Sequence, residues 1–124
     1  MDVIEKSVGK EGSNSKGDVR VVQLLLNDWL GGEHKTLLKV DGIAGPKTEA
    51  AILAFQKAKT KVVDGRIDPQ GPTIKALAAL HLKALLSGIE PWVYTDLQIA
   101  GTPIFHESAV NESLDSYWKA LRRG

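Results

Sequence analysis

Apolar residues recur with helical spacing in four stretches of the chain. Val22, Leu25, Leu26 and Trp29 fall at i, i+3, i+4 and i+7, which places them on one face of an α-helix. Asp18, after Lys16-Gly17, is the expected N-cap, and Gly31-Gly32 the expected stop. Thr48, Ala51, Ile52 and Phe55 repeat the spacing between Pro46 and about Lys59. Pro46 stands in the first turn, where its missing N–H costs nothing. Ile74, Leu77, Ala78, His81 and Leu85 predict a third helix from Pro72 to Ser87, with Gly88 just past its end. Leu114, Tyr117, Trp118 and Leu121 predict a last one from about Glu112 to Arg123, whose final arginines suit a helix C-terminus. Between them, Trp92-Val93-Tyr94-Thr95 and Leu97-Gln98-Ile99, bounded by Pro91, Gly101 and Pro103, predict one or two short extended segments.

The loops carry a second pattern. Val40-Asp41-Gly42 leads to Gly45-Pro46 and Thr48, and Val63-Asp64-Gly65 leads to Gly71-Pro72 and Thr73. One turn design is used twice: Asp-Gly supports a tight turn, and Gly-Pro opens the next helix. The glycine-rich stretch Val8–Asn14 is expected as a loop against the first helix.

Composition divides the chain near Gly88. Trp29 and Phe55 are the only aromatics up to that point, whereas Trp92, Tyr94, Phe105, Tyr117 and Trp118 follow it. The expected architecture is therefore all-α: a three-helix bundle over residues 1–88, then an aromatic-rich extension over 89–124, packed on the bundle or on a partner. At 124 residues such a chain buries roughly two thirds of its unfolded surface, enough for a core without staples. The net charge of +1 argues against nucleic acid as a partner. No apolar run approaches the roughly 20 residues that span a bilayer. The start, Met1-Asp2-Val3-Ile4-Glu5-Lys6, lacks the basic and apolar regions of a secretory signal peptide.

Catalytic chemistry finds little support. The chain has no cysteine, and His34, His81 and His106 show no metal-ligand spacing. His81 lies in the core phase of its helix and reads as a satisfied interior histidine. Glu107, Glu112 and Asp115 could in principle form a glycosidase pair, but so short a tail offers no evident substrate cleft. The expectation is no enzyme, no catalytic residues, no metal and no cofactor.

Asp18-Val19-Arg20-Val21-Val22-Gln23-Leu24-Leu25-Leu26-Asn27, then Val40-Asp41-Gly42-Ile43-Ala44-Gly45-Pro46-Lys47-Thr48, then Ala51-Ile52-Leu53-Ala54-Phe55-Gln56 resembles the peptidoglycan-binding domain family of small three-helix cell-wall modules. The resemblance covers about residues 8–80. Gln70 before Gly71 departs from a more glycine-rich form of the second loop. The resemblance implies non-covalent binding of peptidoglycan, through its glycan or its stem peptide, to localise the module itself, a hydrolase or a secretion-system protein to the wall. Lacking a signal peptide, such a protein is expected to be made in the cytoplasm and to reach the periplasm or wall by a non-Sec route. The alternative is an adaptor that docks a partner through its C-terminal aromatic helix.

The candidate ligand surface comprises Asn27, Asp41, Gly42, Ile43, Gly45, Thr48 and Arg66. Backbone N–H groups at a helix start can hold carboxylates or amide oxygens of a stem peptide, though the same loop residues also make the turn and cap the helix. Gln23, Asn27 and Gln56 carry amides suited to sugars and peptides, with solvent exposure as their default. Arg66 can pair with a carboxylate in forked geometry, or stand as a solvated charge.

Overall fold

The computed structural model describes residues 2–86 and 107–123. The predicted extended segments, Ser87 and Gly88 lie outside these. Four helices and a two-stranded ribbon make up the described part, in the order β1 (Val8–Gly9), α1 (Lys16–Gly32), α2 (Pro46–Lys59), β2 (Arg66–Ile67), α3 (Pro72–Leu86) and α4 (Glu107–Arg123).

Helix α1 is the hub, packing on α2, α3 and α4. Val19, Val21, Val22, Leu25, Leu26, Trp29 and Leu30 are all buried on it, because it faces three neighbours where a surface helix faces one. Ile52 and Phe55 of α2 and Ile74 and Leu77 of α3 close the core. Trp29 and Phe55 meet edge to face with ring centroids 5.4 Å apart, an arrangement that aromatic quadrupoles favour.

The start of α1 differs from expectation. Asp18 is not an N-cap: α1 begins earlier, with Ser15 at the cap position and no side-chain cap bond. The Asp18 carboxylate instead accepts from the backbone N–H groups of Glu5 at 2.9 Å and Lys6 at 3.0 Å, which straps the N-terminal segment over the first turn, where a negative charge also suits the helix dipole. At its other end α1 stops at Gly32, as expected, with Glu33 at the C-cap and His34 taking the left-handed position that follows, φ +56°.

The ribbon was not predicted, since two-residue strands are too short to alternate. Val8 pairs with Ile67 and Gly9 with Arg66, antiparallel. Glycine is required at position 9, where φ is +106° and a Cβ would lie 2.2 Å from the Gly65 carbonyl oxygen.

Helix α4 starts five residues before the expected Glu112 and packs on α1. Trp118 is fully buried, while Tyr117 and Leu121 are partly buried against the core. His81 is the satisfied histidine expected: its Nδ1 meets the Asp28 carboxylate and its Nε2 meets the Tyr117 hydroxyl at 2.6 Å. Burial, and secondarily the negative charge of Asp28, push the Tyr117 hydroxyl pKa up from its ordinary value. Tyr117 therefore stays a neutral bridge between α4 and α3. Arg122 completes the attachment by donating to the carbonyl oxygens of Asp2 at 2.6 Å and Val3 at 2.9 Å.

Candidate functional site

Both Asp-Gly loops are fastened by the same device, and its central residue is a buried glutamine. The Gln23 side-chain Nε2 donates to Asp41 Oδ1 at 3.0 Å, the Ile43 carbonyl at 3.1 Å and Thr48 Oγ1 at 3.1 Å. Its Oε1 accepts from the N–H groups of Asp41 at 3.1 Å and Gly42 at 3.0 Å. One repeat later, Gln56 Nε2 donates to Asp64 Oδ1 at 3.0 Å, the Arg66 carbonyl at 3.1 Å and Thr73 Oγ1 at 3.1 Å. Gln56 Oε1 accepts from Gly65 N–H at 2.8 Å. In each loop the aspartate Oδ1 also accepts from the N–H two residues on, Ile43 in one and Arg66 in the other, at 3.0 Å.

Solvent exposure is the default expectation for amides on helices, yet Gln23 and Gln56 are 1% and 0% exposed. A signal was available, because each amide lies four residues after a core valine or isoleucine, Val19 or Ile52, and precedes a Val-Asp-Gly. An amide can serve here because it offers two donors and an acceptor from one end, enough to satisfy a loop that has few backbone partners of its own.

Five of the seven predicted site residues gather at the first loop. Asp41, Ile43, Gly45 and Thr48 line one cleft of about 350 Å³ together with Leu38, Lys39, Pro46 and Lys47, and buried Gly42 forms the turn beneath it with φ +76°. Ile43 is 67% exposed at the loop's tip. Asn27 does not line that cleft. Its amide is engaged by Leu38, accepting from the backbone N–H at 2.7 Å and donating to the carbonyl at 3.0 Å, so it holds the approach to the loop. Arg66 belongs to a different cleft, of about 490 Å³, at the second loop, where its Nε lies 3.0 Å from Asp68. Leu38, Lys39, Pro46 and Lys47 line the cleft without having been expected there, and their place beside Ile43 follows only from the folded loop.

The carboxyls of Asp41 and Asp64 are held below their ordinary pKa. The Gln23 amide is the main cause at Asp41, followed by the Ile43 N–H; at Asp64 the Arg66 N–H leads and the Gln56 amide follows. A carboxylate whose pKa is lower folded than unfolded adds stability above the unfolded value and loses it as pH falls through the folded one. Stability is therefore expected to hold above the ordinary aspartate value of 3.8 and to decline as pH falls below it. The double variant Asp41→Asn with Asp64→Asn keeps the Oδ1 acceptors and should flatten that decline in denaturant unfolding across the acid range. An unchanged slope would remove both carboxylates from the account.

The described part is thus a small helical domain with two loops fastened by buried glutamines, each beside an open cleft. The sequence pattern of the peptidoglycan binding domain family matches residues 15–77, just over half of the chain, and the chain belongs to that family. No curated protein and no solved structure matches it. Among the described residues, no group of three or more histidines and carboxylates is placed to hold a metal ion, and no helix is long and apolar enough to cross a membrane.

Proposed function

We propose that this chain is a non-catalytic module that binds peptidoglycan at its first Asp-Gly loop and so localises itself, or an associated hydrolase or secretion component, to the cell wall. The observation that carries the reading is the buckled loop itself. Gln23 fixes its base, and Ile43 projects from its tip beside a cleft edged by Lys39 and Lys47. A loop already held in shape loses little conformational entropy on binding. The cleft falls within the roughly 300–1,000 Å³ range of ligand sites, and its apolar wall with two cations suits a peptide or amino sugar that carries amides and carboxylates.

In this reading Ile43, Lys39 and Lys47 touch the ligand. Asp41, Gly42, Gly45, Thr48 and Asn27 act by holding the loop. The full chain is expected to co-sediment with purified sacculi. Ile43→Asp should lower the bound fraction several-fold while changing stability by less than about 0.5 kcal/mol, as exposed substitutions do. Unchanged sedimentation of Ile43→Asp would move the site elsewhere, and a parent chain left in the supernatant would remove wall binding altogether.

A further inference from the structure

The second cleft repeats the buckle of the first but not its chemistry. Where the first has lysines beside an apolar wall, the second is lined by both signs of charge, Lys10 and Arg66 with Glu11, Glu49 and Asp64, beside exposed Leu53 and Val63. Three separate elements hold this arrangement. Glu49 and Leu53 are one turn apart on α2. Arg66 is fixed by the ribbon, its backbone N–H donating to Asp64, and its guanidinium stands in an ion pair with Asp68, Nε 3.0 Å from Oδ1. Lys10 follows the partner strand, its N–H donating to the Gly65 carbonyl at 2.9 Å. Glu11 occupies a left-handed position, φ +59°, where glycine or asparagine would sit with less strain, so the tight turn keeps a carboxylate at some conformational cost.

A cleft lined by both signs of charge and by two exposed apolar side chains matches a ligand that carries both signs on a short apolar stem. We propose that this cleft is a second subsite, which takes the zwitterionic end of a diamino-acid residue in the stem peptide, with a free carboxylate and a free ammonium on one side chain. This rests on the wall-binding reading above and adds to it the ligand class. Arg66 receives the carboxylate, since the fork of its terminal amino groups fits two oxygens. Glu49 receives the ammonium, and Leu53 and Val63 cover the methylenes.

The test uses two soluble probes on the ¹⁵N-labelled full chain: the tripeptide L-alanyl-γ-D-glutamyl-meso-diaminopimelate, and its counterpart with L-lysine as third residue, which keeps the ammonium and lacks one carboxylate. The diaminopimelate peptide should shift the amides of Lys10, Gly65 and Arg66 and bind about three- to tenfold more tightly than the lysine peptide, the range of one partly exposed charge-assisted pair. Arg66→Gln should erase that difference, whereas Glu49→Gln should weaken both peptides alike. Equal binding of the two peptides, or a preference that survives Arg66→Gln, overturns the proposal. Shifts confined to residues 38–48 overturn it too while leaving the first-loop reading intact. The first-loop reading fails separately, through unchanged sedimentation of Ile43→Asp.

Discussion

Replacing Gln56 with leucine is expected to lower the unfolding free energy by about 3–5 kcal/mol, because one side chain of similar size is lost from a whole set of hydrogen bonds. Two amide hydrogens serve three acceptors, and the carbonyl oxygen receives Gly65. Asp64 is exposed and can regain water when the amide goes. Gly65 and Thr73 are buried and cannot. Each buried group left without a partner costs about 1–3 kcal/mol, on top of the net value of the bonds removed. Against a total stability of roughly 5–15 kcal/mol, that is a large share for one amide. Urea unfolding measures it. A loss below about 1 kcal/mol would mean that the loop reopens to water at little cost, and the buckle would then not be what holds it.

Truncating Trp118 to alanine should be of similar size, about 3–5 kcal/mol, as for other large aromatic side chains removed from a core. Trp118 is fully buried, with ring centroids 5.1 Å from Tyr117 and 5.7 Å from His81. Its loss would empty the seam between α4 and α1 and loosen the Tyr117 bridge to His81. The melting temperature of dilute protein should fall by roughly 10 °C or more. Trp118→Phe is the informative companion. The buried indole Nε1 has no hydrogen-bond partner, so phenylalanine gives up volume without orphaning any group and should cost clearly less than alanine. Were Trp118→Ala to melt with the parent, α4 would contribute nothing to this fold, and its aromatic face would be free for a partner.

The helices were legible because each has its own apolar stripe, and Phe55, Leu26, Trp29 and Trp118 lie buried where the spacing put them. The repeated Val-Asp-Gly was legible as a repeat, being local and built from residues with few other uses. What closes each loop was not, because Gln23 and Gln56 reach their partners across helices, and an amide on a helix carries no mark of burial. Asp18 misled for the same reason: it has the right type for a cap, but its partners, Glu5 and Lys6, lie more than ten residues away. Asn27 and Arg66 joined one candidate surface by residue chemistry alone. In the fold Asn27 is engaged by Leu38, and Arg66 faces the other cleft.

Chemical-shift mapping of the labelled full chain with muramidase-solubilised peptidoglycan tests the central claim most directly. The account predicts that the largest changes fall on residues 38–48, around Ile43, and are absent in Ile43→Asp. Shifts centred on α4, or a spectrum indifferent to the fragments at millimolar concentration, where even weak complexes of about −4 kcal/mol are half formed, would contradict it.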